Sequence, residues 1–104
     1  MKARKIVLTD AAVSDILEQA AWYEEQSGLK LARRWEQAVT SVLLRLVATP
    51  AGGAPCTFKA DELKGVRRVS VPRFPKHPVF YRLKTQEMVI LRVVHGARDL
   101  ESLF

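Results

Sequence analysis

The stretch VRRVSVPRFPKHPVFYRLKTQEMVILRVV, residues 66–94, contains three runs rich in β-branched and aromatic residues: VRRVSV (66–71), PVFYRL (78–83) and EMVILRVV (87–94). Such residues suit a pleated, half-buried surface, and short connections such as PRFPKHP and KTQE make neighbouring runs antiparallel. In the middle run Val79, Tyr81 and Leu83 point one way and Phe80, Arg82 and Lys84 the other. That alternation predicts a sheet with one face on a core and one facing out.

Upstream, RKIVL (4–8) reads as a short strand closed by Thr9 or Asp10, either of which can cap a helix. A helix over about residues 10–26 follows, with Val13, Ile16, Leu17, Ala20 and Tyr23 at spacings of three and four. Ser27-Gly28 interrupts the pattern. A second stripe, Leu31, Trp35, Ala38, Val39, Val42 and Leu46, then runs to Pro50, which cannot extend a helix interior. So short a break predicts an antiparallel helical hairpin. PAGGAPC (50–56) is a loop by composition, and TFKADELKG to Gly65 reads as irregular. The expected architecture is a single α+β domain over residues 1–104: an N-terminal strand, then a two-helix hairpin packed on an antiparallel sheet formed with a three-stranded C-terminal meander.

Composition excludes several classes. A chain of 104 residues with 48% hydrophobic and 27% charged residues can bury a core and is not of disordered type. Cys56 is the only cysteine, so no internal disulfide forms, which suits a reducing compartment. The basic start MKARKIVLTD has too short an apolar run for a signal peptide, and no stretch is long enough for a membrane span. A cytoplasmic protein is expected. The net charge is +6, and no acid occurs between Glu62 and Glu87, where Lys64, Arg67, Arg68, Arg73, Lys76, Arg82 and Lys84 fall. That distribution suits a partner rich in phosphate or carboxylate, or simply a solvated basic face.

Cys56, His77 and His95 do not have the spacing of a zinc site, Gly52-Gly53 lacks the lysine of a phosphate loop, and Ser14, Ser41 and Ser102 lack a nucleophile elbow. No metal or cofactor is expected. What the residues could support is RNA cleavage by its own 2′-hydroxyl, which needs an acid, a base and cations but no protein nucleophile. His95 could serve as acid or base, and Arg68, Arg82, Arg92 and Arg98 could supply cations. The plainer alternative is that His95 ends a strand and the arginines pair with Glu87, Asp99 or Glu101.

The span 67–99, with its basic strand, proline-containing loop, FYRL and ILRVVH strands and HGARD ending, resembles the C-terminal half of RelE/ParE superfamily toxins of bacterial type II toxin–antitoxin systems. The first half adds the strand and helical hairpin in the same order. RelE-like members cleave mRNA on the ribosome with basic residues of the central strands and often a C-terminal tyrosine or histidine. Here Pro78 stands where an arginine would enter the strand, and the chain ends in Phe104, which cannot exchange a proton. The resemblance is therefore closer to ParE-like members, which inhibit DNA gyrase without a nuclease set.

It implies a cognate, ParD-like antitoxin that carries the DNA-binding function, so that the toxin alone has no specific DNA binding and no membrane role. Arg73, His95 and Arg98 are then candidates for target contact, and Trp22, Trp35, Arg67 and Arg82 for antitoxin binding. If the chain is a ribonuclease, His95, Arg68, Arg82 and Arg98 are its candidate set.

Overall fold

Thr9 joins the first strand, β1 (Lys5–Leu8), to the first helix, α1 (Asp10–Ser27). Its side-chain oxygen accepts from the Ala12 N–H at 3.1 Å, capping the helix, while its hydroxyl donates to the Leu91 carbonyl at 2.8 Å. The computed structural model describes residues 5–95. After α1 the chain reverses at Gly28, whose φ of 91° favours glycine, into α2 (Leu29–Ala48). Strands β2 (Ala54–Pro55), β3 (Val66–Val71), β4 (Phe74–Leu83) and β5 (Glu87–Val93) follow. The sheet order is β1-β5-β4-β3-β2.

The helical hairpin and the meander are those expected, and β2 to β5 pair antiparallel. β1 joins β5 in parallel, so the sheet is mixed. The chain leaves β1 through the hairpin, crosses one face and re-enters the sheet elsewhere, and such a crossover permits parallel pairing.

Three details depart from the sequence expectation. β4 begins at Phe74, not Pro78, because Pro72-Arg73 makes a two-residue turn that pairs Val71 with Phe74. The pairing then jumps to Ser70 with Pro78, so residues 75–77 bulge and the prolines need not break the strand. Second, the sheet's other face is not open. Residues 56–63 fold over it, and Leu63, Val66, Phe80 and Val94 form a small second core with Cys56, Phe58, Ala60 and Leu91. Third, α1 faces the sheet with Ala12, Ile16, Ala20 and Tyr23, leaving Val13 and Leu17 40% and 59% exposed.

Asp15 explains that rotation. β1 ends at Leu8, so beyond Ile90 the edge of β5 has no strand neighbour. A bulge follows, with Phe80 opposite Arg92 and Tyr81 opposite Ile90, which turns Leu91 to the outer core. Asp15 takes over the edge: its carboxylate accepts from Arg92 Nε and Nη2, each at 2.7 Å, and from the Val93 N–H at 3.0 Å. The pair is largely shielded, with side-chain exposures of 23% for Arg92 and 11% for Asp15.

The main core lies between hairpin and sheet, around Trp35, Val42, Val79, Tyr81, Met88 and Ile90. Trp35 Nε1 donates to the Ile16 carbonyl at 3.0 Å, linking the helices. The Tyr81 hydroxyl donates to the Pro50 carbonyl and accepts from the Gly53 N–H, fixing the turn after α2. A Cβ on Gly53 would overlap that hydroxyl and lie 2.7 Å from the Arg68 carbonyl, so no other residue fits there.

His77 is the one buried polar side chain among the described residues. Its Nε2 lies 2.9 Å from the Tyr23 hydroxyl, its ring packs on Trp35 and Phe74, and the exposed His95 packs tilted against it. Burial, with a smaller push from His95, lowers its pKa from 6.5 to about 4. A neutral Nε2 can accept the tyrosine proton, and burial also raises the Tyr23 pKa, keeping it a donor.

Two outcomes follow from this packing. Asp15→Ala removes the principal counter-charge of Arg92 and leaves the Val93 N–H unpaired in a shielded site, and should cost about 2–4 kcal/mol in urea unfolding. The folded chain keeps His77 neutral down to about pH 4, whereas the unfolded chain protonates it below 6.5. The unfolded state binds the extra proton in that window, so stability is complete above it and falls as pH drops through it. Between pH 7 and pH 5 the wild type should lose about 2 kcal/mol more than a His77→Gln chain.

Candidate functional site

The sheet separates the residues that RNA cleavage would have to bring together. Arg68 and Arg82 share the outer face with Val66 and Phe80, on the side covered by residues 56–63. The Arg82 guanidinium donates to the Glu62 carbonyl, and its Nε is buried. Arg68 is exposed beside Cys56 and Phe58, in a cleft of about 210 Å³. Burial pushes the Cys56 thiol up, against a weaker opposite pull from Arg68 and Arg67, so the thiol is held protonated.

His95 turns to the helical side. Its ring packs tilted against His77, with centroids 4.7 Å apart and planes inclined by 55°, and it borders a cleft of about 400 Å³ with Glu18, Trp22 and Tyr23. Arg92 is committed to Asp15. Arg98 lies outside the described residues. Among the described residues, then, no histidine, arginine and open phosphate-sized space converge, and no group of three metal-ligating side chains occurs.

The residues expected at a protein interface also divide. Trp35 is fully buried, so the apolar stripe of α2 and not a partner claims it. Trp22 is 54% exposed and lies edge-on to Tyr23 at 5.5 Å, where an incoming side chain can reach it. Arg67 donates to the Ala51 and Gly53 carbonyls, so together with Tyr81 it holds the turn after α2. Arg67 thus ties the sheet to the turn after α2, and Arg82 ties it to the segment that covers its outer face.

Arg73 stands at the tip of the β3–β4 turn with a φ of 71°, the left-handed region that suits glycine. A bulky residue there costs roughly 1 kcal/mol. Across from it, α2 presents Arg34 and Arg45, and between them lies a cleft of about 480 Å³. Arg34 and Arg45 were not singled out in the sequence. The available signal was that α2 carries Lys30, Arg33, Arg34 and Arg45 against one acid, Glu36.

The fold and the sequence can be set beside known proteins. The model of the family described as ParE toxin of type II toxin–antitoxin system, parDE, matches residues 6–100. No curated protein matches the chain. Among solved structures, a chain of the chromosomal ParDE TA system from P. aeruginosa superposes with a TM-score of 0.75 at 21% identity, covering 91% of this chain and 98% of that one. A YoeB/ParE toxin from Agrobacterium tumefaciens gives a TM-score of 0.57 at 16% identity, covering 89% and 99%. These likenesses place the strand, hairpin and sheet in the same fold, and the match over residues 6–100 makes the chain a member of the ParE toxin family of type II toxin–antitoxin systems.

Proposed function

We propose that this toxin inhibits DNA gyrase without catalysing a reaction of its own, and that a cognate ParD-like antitoxin neutralises it. The observation that carries the reading is the division of the sheet: His95 lies on the helical side, Arg68 and Arg82 on the other, and Arg92 is held by Asp15. General acid–base cleavage needs those groups within hydrogen-bond reach of one phosphate. Inhibition by binding needs only accessible surface, which Trp22, His95 and Arg73 offer.

The partners follow from family membership and charge. An antitoxin with an acidic, amphipathic tail suits a chain of net charge +6, and the DNA-binding function belongs to that antitoxin. The place of action is the cytoplasm, where gyrase works on the chromosome. Among the described residues no helix is long and apolar enough to cross a membrane.

The test is a supercoiling and cleavage assay with purified gyrase, relaxed plasmid and the chain in excess. Supercoiling should fall, or linear DNA accumulate, in a dose-dependent way, and antitoxin added first should prevent it. Normal supercoiling at saturating toxin would contradict the proposal.

A further inference from the structure

We infer that two copies of this chain dimerise through the outer face of the helical hairpin, with α1 of each copy lying antiparallel on α2 of the other. That face is partly apolar: Val13, Leu17 and Leu44 are all exposed, the two leucines by more than half. Asp15 faces the β5 edge, and Val13 and Leu17 lie about 160° round α1 from it, toward α2. Leu44 points about 180° away from the buried Trp35. Val13 precedes Gly28 by 15 residues and Leu44 follows it by 16, so the two stand level in the hairpin.

Charge selects the partner and its orientation. α1 carries Asp10, Asp15, Glu18, Glu24 and Glu25 and no base, whereas α2 carries Lys30, Arg33, Arg34 and Arg45 against Glu36 alone. A two-fold axis running along the hairpin lays acidic α1 of each copy on basic α2 of the other; an axis across it would set α1 on α1, with like charges in contact. In the first arrangement Glu24 and Glu25 of one copy fall level with Lys30 and Arg33 of the other, and Val13 and Leu17 cover Leu44. A polyanion would meet the carboxylates of α1 beside the cations of α2, and a second copy matches both.

The helix ends give an independent observation. Glu24 and Glu25 sit in the last turn of α1, which has no base, and Lys30 sits in the first turn of α2, which has no acid, with Arg33 just beyond. Each sign is the one that the local helix dipole disfavours. None of the four has an ion-pair partner among the described residues. The partner copy provides those counter-charges. With helices about 27 and 30 Å long and about 10 Å apart, the face covers roughly 600 Å² per copy. That lies at the low end of specific interfaces and corresponds to a dissociation constant of roughly tens of micromolar. Such self-association is independent of which enzyme the toxin inhibits.

The test is sedimentation velocity of the full chain over about 5 to 500 μM, where the wild type should pass from monomer to dimer, less readily at high salt. The double variants Glu24→Lys, Glu25→Lys and Lys30→Glu, Arg33→Glu should each dimerise at least about tenfold more weakly. Both should melt at or above the wild-type temperature, because both relieve the unfavourable helix-end charges. An equimolar mixture of the two should recover the dimer to within about threefold of wild type, since every contact is then acid on base. Each reversal shifts the charge by two, so the variants go from +6 to +10 and +2, and general attraction does not draw them together. Leu44→Ser should weaken the dimer about tenfold, and Lys5→Glu on β1 should change it less than about twofold. A wild type that stays monomeric throughout, charge variants that dimerise as well as wild type, or a mixture that fails to associate would each overturn the assignment.

Discussion

The Asp15 carboxylate holds the two layers in register. It sits where β1 has run out and β5 bulges, and it supplies both the counter-charge for Arg92 and the acceptor for the Val93 N–H. Thr9 completes the repair by donating to the Leu91 carbonyl one step earlier. A strand edge that would otherwise be unpaired is thus closed by the first turns of a helix. The rotation of α1 follows from this: Ala12 and Ala20 allow close approach to the core, Tyr23 reaches His77, and Val13 and Leu17 are left outside. The bulge at Leu91 also feeds the second core, so one carboxylate influences both faces of the sheet.

Local periodicity made most of the elements legible. The Ser27-Gly28 break, the α2 stripe and the β-branched runs each reflect a preference that neighbouring residues reinforce. What was hidden was non-local. Val13 and Leu17 fit the helical period of α1 as well as Ala12 does, and only a partner 77 residues away, Arg92 for Asp15, selects the inward arc. Residues 74–77 read as a connection because the bulge that accommodates Pro75 depends on β3. The covering of Phe80 by residues 56–63 left no trace in strand alternation, since a polar-looking irregular segment can still contribute Phe58 and Leu63.

The candidate site was legible in part for the same reason. The sequence suggested a basic sheet face with histidine, yet alternation cannot say which side a residue takes once a bulge shifts the phase. Arg68 and Arg82 went outward and His95 joined His77 on the helical side. Two of the strand arginines are spent on backbone carbonyls, Arg67 on Ala51 and Gly53 and Arg82 on Glu62, and Arg92 is spent on Asp15. Arg34, Arg45 and Arg73, which have no ion-pair partner among the described residues, lie on α2 and at the β3–β4 turn, where a flank of a helix rather than a strand pattern carries the signal.

The proposed mode of action is binding, without an acid–base set on the sheet. The most direct measurement is growth of bacteria expressing the His95→Ala, Arg68→Ala double variant without antitoxin, beside the wild type at matched soluble level. The account predicts the same growth arrest from both. Loss of toxicity in the double variant, with its melting temperature and antitoxin binding unchanged, would contradict it.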